Sequence, residues 1–488
     1  MKEKFYITTA IDYVNSPHPH QGHAYEKICA DVLARWHRLL GREVFFLTGT
    51  DENAQKNSKA AKEAKIPVRD FVDQNAAQFK KLCKKLNISN DRFIRTTEEE
   101  HIKASQEIFK KVYDKGDIYK GTYDGYYCNG CEAFLTEKDL VNGKCPEHKT
   151  KPDWLKEESY FFKMEKYKDE LLKLLESKSF VLPEHYRNEV LKRVKEEGLK
   201  DLSVSRVNLD WGIPVPFDKK HKIYVWFDAL INYLSGIGYP KKDYEKLWPA
   251  DIHLIGKGIN WFHSVIFQIM LISAGIKNSK TILVHGYINL EGKKMSKSQG
   301  KFIDPFEICE KYGTDPLRYF LIREIPFGED GEFSEDALKR RLNNELANDL
   351  GNLLSRTLSM VEKYFNGRIP KGKNELSFNV NKIKKFIDEY ELHTALSEIW
   401  KYVKEINKYL NEKKPWENEK ERDTILYTAL DSLRIVSILL YPFIPGSIDK
   451  INRSLGIKLG TLNDCKPDLL ESGKIKIPEP LFKKIEED

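Results

Sequence analysis

Short apolar runs alternate with helical periodicity through the first part of the chain. Phe5–Ile11 is one such run, and Glu43–Gly49 holds the near-continuous Val44-Phe45-Phe46-Leu47. Runs of this kind suit strands of a parallel sheet that is covered on both faces. Between them Ile28, Val32, Trp36 and Leu39 recur at helical spacing over Ala24–Leu40, and Gly41 stands where helix ends favour glycine. Strand, helix and strand within about 45 residues form a βαβ unit. That unit predicts an α/β, doubly wound, Rossmann-like nucleotide-binding domain. Helical patterns follow over 54–64, 67–86 and 98–115, with Arg92–Arg95 as a third strand.

The pattern changes near residue 117. Ile118–Cys128 is aromatic and glycine-rich, a hairpin signal, and Ser159–Met164 reads as a further strand. Alternation resumes after Gly212–Pro216, with strands expected at Lys222–Phe227, Asp251–Ile255 and Thr281–Tyr287 and a helix over Ile259–Ala274. From Ser334 onward nearly every segment is helical, and Leu338, Leu342, Leu346 and Leu350 recur at intervals of four. The expected organisation is a catalytic domain in two halves, 1–116 and 222–333, split by an insert over 117–221. An α-helical bundle over 334–488 completes the chain.

At 488 residues the chain is too long for one hydrophobic core, and 41% hydrophobic content is enough to build several. Lys plus Arg number 81 against 74 Asp plus Glu, a charge of +7 that permits a nucleic-acid partner without announcing one. No apolar stretch approaches the ~18–20 residues of a membrane span, and the N-terminus lacks a signal-peptide core. Seven cysteines make a disulfide framework an unattractive reading. The expected location is the cytoplasm.

Three clusters carry candidate chemistry. His20, Gly22 and His23 sit where the first strand gives way to the first helix. Ligands bind outside the carboxyl ends of such strands, and a helix N-terminus offers N–H groups to phosphate. The histidines could donate to phosphate oxygens, and Gly22 would allow close backbone approach. Alone, the pair also reads as a histidine-containing loop or as two metal ligands. Lys293, Lys294, Ser296, Lys297 and Ser298 form a cationic loop suited to a polyphosphate, or simply a solvated turn. The third cluster is Cys128-x-x-Cys131 followed by Cys145-x-x-His148. Two chelating pairs with three sulfurs and one nitrogen make a closed tetrahedral Zn2+ site, which is structural because no position is left for water. The other cysteines, Cys29, Cys83, Cys309 and Cys465, are expected to be buried and inert.

Taken together, His20-Gln-Gly-His23 and Lys294-Met-Ser-Lys-Ser298 resemble the HIGH and KMSKS signatures of class I aminoacyl-tRNA synthetases. Tyr13–Pro17, Phe46–Asp51, Val225–Ala229, Gly256-Lys257, Trp261–His263, Asn352–Arg356 and Asn411–Trp416 resemble the methionyl members. The sequence departs from that family at Gln21, where Ile or Leu is usual, at Gly258 for Asp, and at Gln299 for Leu. A glutamine at position 21 needs a polar partner or must point away from the interior.

The resemblance implies activation of L-methionine by ATP, with Mg2+ accompanying the nucleotide, and transfer to tRNA(Met), the initiator included. It implies catalytic roles for His20, His23, Lys294 and Lys297, and ATP contacts from Gly22, Ser296 and Ser298 as well. A methionine pocket is implied from Ala10, Ile11, Tyr13, Asp51, Trp226, Ala229, Tyr233, Ile259 and His263. Asp51 would pair with the α-ammonium, and Trp226, read as part of an apolar strand, would otherwise be core. Anticodon contacts are implied for Asn352, Arg356, Pro415 and Trp416. With one knuckle, a short insert and no further C-terminal domain, the expectation is a monomer without a separate editing domain. The competing readings are a synthetase for cysteine or isoleucine, a small-molecule adenylyltransferase, and a tRNA-binding paralogue with a dead site.

Overall fold

A computed structural model describes residues 3–207, 209–290 and 303–486, and the backbone of 293–294. The first strand, β1, spans Lys4–Tyr13, helix α1 spans Gln21–Leu39, and β2 spans Glu43–Asp51. Strand β3 is Arg92–Arg95. β1 and β2 extend the apolar runs that predict them by a few residues, and β3 has the expected bounds. Helix α1 stops where expected: Leu40 caps it and Gly41 follows at φ +81°.

The main sheet has six parallel strands in the order β3, β2, β1, Ile252–Gly256, Ile282–His285, Val181–Leu182. Strand order reverses direction between β1 and Ile252–Gly256, and that junction is the switch point where ligands bind in doubly wound folds. Val181–Leu182 joins the sheet edge from within the stretch assigned to the insert. Elsewhere that stretch builds its own antiparallel sheet. Ile118–Cys128 pairs with Ala133–Leu135 and Asp153–Phe162, which in turn pairs with Leu202–Ser203.

Two expectations need correction. Lys222–Phe227 is not a strand: Asp218–Ile223 is, and Val225–Ala229 is a short helix. A five-residue apolar run has no periodicity that separates the two forms. Thr281–Tyr287 divides into Ile282–His285 in the main sheet and Ile288–Leu290, which pairs with Gly331–Phe333.

The helices from Glu335 onward form the expected bundle, and Leu338, Leu342, Leu346 and Leu350 are all buried in it. Its core is continuous with the α1 face of the sheet. Arg318 fixes that junction. Fully buried, it pairs with Asp31 of α1 at 2.7 Å and donates to the carbonyls of Leu86, Pro442 and Phe443. A buried charge with four hydrogen bonds ties α1, the segment after β2 and the bundle together. Among the described residues no helix is long and apolar enough to cross a membrane.

Candidate active site

The turn from β1 into α1 organises its own histidines. His20 is the helix N-cap, and its Nδ1 accepts from the Gly22 N–H at 3.1 Å. His23 Nδ1 accepts from the His20 N–H at 3.1 Å, and the two rings stack at 3.7 Å. With Nδ1 accepting in both, the neutral rings carry their proton on Nε2, and that of His23 lies 3.8 Å from Asp12 Oδ1. A Cβ on Gly22 would lie 2.9 Å from Cε1 of His20. Glycine at this position makes room for the cap. Gln21 points inward, fully buried, and neither of its amide atoms has a hydrogen-bond partner among the described residues.

Beside this turn lies a cavity of about 350 Å³ at the switch point. All nine residues of the implied methionine pocket line it, together with His20 and His23. Trp226 stacks on Phe262 at 3.8 Å with the ring planes 11° apart, and meets Tyr13 edge-on at 6.1 Å. His263 Nδ1 lies 2.9 Å from the Ile259 carbonyl and so carries the proton; its Nε2 then accepts from the Tyr233 hydroxyl at 2.7 Å. Burial lowers the His263 pKa to about 4, so the ring is neutral at physiological pH. The Tyr13 hydroxyl is buried without a hydrogen bond among the described residues.

Asp51 ends β2 in the same cavity, 2% exposed, and accepts from the Asn53 N–H at 3.2 Å. Burial, with the carboxylates of Asp228 and Glu132 nearby, pushes its pKa well above the usual range. A cation entering the cavity would favour the ionised form and be held by it. The apolar walls and neutral imidazole suit a flexible thioether, and Asp51 suits an ammonium group.

The cysteine pairs converge as their spacing predicts. The ligand atoms of Cys128, Cys131, Cys145 and His148 all lie within 4.8 Å of one another. Three sulfurs and one nitrogen in that grouping fit structural Zn2+. The knuckle abuts the cavity: Trp226 Nε1 donates to the Cys131 carbonyl at 3.2 Å, and the Tyr224 hydroxyl to that of Glu132 at 2.6 Å. Cys29, Cys83, Cys309 and Cys465 are buried and free.

Lys294 pairs through its backbone with Asn289, two residues beyond Tyr287, which lines the cavity. Ser296, Lys297, Ser298 and Gln299 lie outside the described residues.

In the bundle, Arg356 Nη1 donates to Asn411 Oδ1 at 2.8 Å, and the guanidinium stands 6.0 Å from the Trp416 ring centre. Trp416 is 40% exposed rather than capping the core, while Pro415 is buried and its carbonyl accepts from Arg422 Nε. Asn352 is exposed one turn before Arg356 on helix Asn352–Phe365.

Several cavity-lining residues escape a reading of the sequence, among them Asp12, Glu26, Lys56 and Glu147. Glu26 follows His23 by three positions on α1 and could have been placed on its face by helical spacing. His285 Nε2 lies 3.2 Å from its Oε2. Lys56 lies over the Tyr13 ring, Nζ 3.0 Å from the centre.

Comparison with known proteins assigns the whole chain. The family described as "tRNA synthetases class I (M)" matches residues 5–152 and 139–358, and "Anticodon-binding domain of tRNA ligase" matches 373–465. The chain is 46% identical to the methionine–tRNA ligase of Caldanaerobacter subterraneus subsp. tengcongensis, over 100% of this chain and 80% of that protein. It is also 46% identical to the methionine–tRNA ligase of Thermotoga maritima, over 99% of this chain and 80% of that one. Among solved structures, Mycobacterium tuberculosis methionyl-tRNA synthetase in complex with methionyl-adenylate superposes with a TM-score of 0.93. That match has 39% identity and covers 98% of this chain and 99% of the other. The chain belongs to the methionyl-tRNA synthetase family of class I aminoacyl-tRNA synthetases.

Proposed function

We propose that the protein is a methionine–tRNA ligase that activates L-methionine with ATP and transfers it to tRNA(Met), initiator tRNA included. The observation that carries this reading is one cavity lined by an aromatic pocket, a buried carboxylate and both histidines of the β1–α1 turn. A methionine carboxylate oxygen attacks the α-phosphorus, the bond to the bridging oxygen breaks, and pyrophosphate leaves. A hydroxyl of the tRNA terminal ribose then attacks the acyl carbon, AMP departs, and the hydroxyl proton goes to solvent or phosphate. The incoming carboxylate is already a nucleophile, so the chain's task is orientation and charge stabilisation.

Asp51 holds the α-ammonium, and Trp226, Tyr13 and Phe262 enclose the thioether. His20 and His23 donate from Nε2 to the phosphate oxygens. Lys294 and Lys297, with Ser296 and Ser298, bring positive charge from the facing loop. Mg2+ would accompany ATP as its counter-ion and offset the charge of the phosphates. Zn2+ in the knuckle is structural and supports Trp226. Asn352, Arg356, Pro415 and Trp416 read the anticodon by stacking and edge contacts. The catalytic halves are 1–116 and 222–333, the insert 117–221 and the anticodon bundle 334–488, in a cytoplasmic monomer.

Methionine-dependent ATP–pyrophosphate exchange, followed by charging of tRNA(Met), tests the reading. Exchange driven by methionine is expected. Exchange driven by cysteine or isoleucine alone, or tRNA binding without adenylate formation, overturns it.

A further inference from the structure

The cavity holds a carboxylate that no strand of the main sheet supplies. Gly256-Lys257-Gly258 leaves the carboxyl end of the strand next to β1, at the switch point, and Gly256 and Gly258 both line the cavity. A Cβ on Gly258 would lie 2.3 Å from the Tyr287 hydroxyl oxygen and 3.7 Å from Glu147 Oε1. The space beside this backbone is therefore taken by the Tyr287 hydroxyl, with its partner Glu147 in ordinary contact behind it, at a position where the family usually has aspartate. In that pair the Tyr287 hydroxyl donates to Glu147 Oε1 at 2.9 Å. The tyrosine is itself held on other sides. Its N–H donates to Asp330 Oδ1 at 2.8 Å, and Lys257 Nζ lies 4.7 Å over its ring and 2.7 Å from Asp330. Glu147 lies between the knuckle residues Cys145 and His148 in sequence, and lines the cavity with His20, His23 and Asp51.

We propose that Glu147 is a nucleotide-binding residue whose carboxylate, aimed by Tyr287, accepts a hydrogen bond from a ribose hydroxyl of ATP. The inference rests on the functional reading above and adds to it the residue that takes the sugar. Its placement follows from the ends of the site. The triphosphate belongs at the N-terminus of α1, where His20 and His23 present Nε2. The amino acid belongs with Trp226, Tyr233 and His263, where Asp51 meets the ammonium. The sugar joins them across the switch point, beside Gly256 and Gly258. Ribose hydroxyls offer donors to an acceptor-only carboxylate, a pairing that dinucleotide-binding folds make with an acid elsewhere on the sheet. Here the acid arrives from the inserted domain.

The test is pyrophosphate exchange by the intact protein with ATP, 2′-deoxy-ATP and 3′-deoxy-ATP, for wild type, Glu147→Gln and Tyr287→Phe, alongside zinc content. A lost charge-assisted hydrogen bond predicts a rise in the KM for ATP of about ten- to a hundredfold in Glu147→Gln. The KM for methionine stays within about twofold. With the deoxynucleotide that lacks the bonded hydroxyl, wild type and variant converge to within about threefold, because the partner is already gone. Tyr287→Phe, which leaves the knuckle sequence intact, moves the same constants in the same direction by less. Equal losses with all three nucleotides, or a change confined to the KM for methionine, overturn the proposal. Should Glu147→Gln lose zinc, the nucleotide pattern of Tyr287→Phe decides. Exchange driven by a different amino acid would defeat the functional reading, yet the same deoxynucleotide comparison run with that amino acid would still judge Glu147.

Discussion

The Tyr233 hydroxyl donates to His263 Nε2 at 2.7 Å, and the far side of the same ring donates to the Ile259 carbonyl. This chain fixes a neutral imidazole in one tautomer at the wall of the cavity. Tyr233→Phe removes the donor and leaves a buried acceptor unanswered, at a cost of about 1–3 kcal/mol. The expected result is a KM for methionine raised about 5- to 100-fold with a smaller change in kcat, read by pyrophosphate exchange. An unchanged KM would show that the ring is held by packing alone.

Buried histidines give stability a defined pH limb. Burial lowers His263 to about 4 and, with Arg42 nearby, His37 to about 3; His253 lies well below its usual value. In the unfolded chain these rings titrate near about 6.5. Between those limits the unfolded state binds more protons, so stability falls as pH drops from about 6.5 towards 4. Each such histidine can contribute up to about 1.4 kcal/mol per pH unit. Urea midpoints measured from pH 7 to pH 4.5 should decline, and His263→Gln should show a shallower decline than wild type.

Removal of the knuckle metal should be felt in the amino-acid pocket. Wild type is expected to carry one Zn2+ per chain by elemental analysis. Cys145→Ser should lose it and change the intrinsic tryptophan emission, because the Cys131 carbonyl accepts from Trp226 Nε1 at 3.2 Å. Methionine affinity should weaken with it. Metal loss without any change in methionine affinity would show that the knuckle stabilises the insert only.

Trp416 stands exposed with Arg356 6.0 Å from its ring centre, a geometry suited to stacking an unpaired base. Base–aromatic stacking contributes roughly 1–3 kcal/mol. Trp416→Ala should lower kcat/KM for tRNA charging by about 5- to 150-fold while methionine-dependent pyrophosphate exchange stays at the wild-type rate. Parallel loss of both activities would mean that the tryptophan is structural.

His23→Ala and Lys297→Ala test the proposed phosphate contacts. Each should reduce the rate of pyrophosphate exchange by about 10²–10³, as expected for loss of one donor to a charge-accumulating transition state. The KM for methionine should change little. A rate within a few-fold of wild type would remove that residue from the chemistry.

Legibility in the sequence followed the strength of the local signal. β1, α1 and β2 are readable because continuous apolar runs flank a helix with its own periodicity and a terminal glycine. The metal ligands are readable because chelation fixes their spacing. Val225–Ala229 is not, since the apolar run Ile223–Phe227 that leads into it suits a strand or a helix equally, and Trp226 packs on Phe262. Val181–Leu182 is too short to announce itself, and its place at the sheet edge depends on Ile282 and Leu283, a hundred residues away. Glu147 and Lys56 reach the cavity only through the folded insert and the helix after β2. No spacing rule connects them to His20 or Asp51.

The order of strands in the sheet has a consequence for biosynthesis. β1 finds β2 soon after both leave the ribosome, but its other neighbour, Ile252–Gly256, follows about 200 residues later. At roughly 5–20 residues per second the nascent chain carries that unmatched edge for about 10–40 s. An apolar strand with open backbone groups for so long is a site for mispairing. Independent folding of the inserted segment during that interval would shorten the loop that β1 must close, and the crevice is completed only once Ile252–Gly256 has been made.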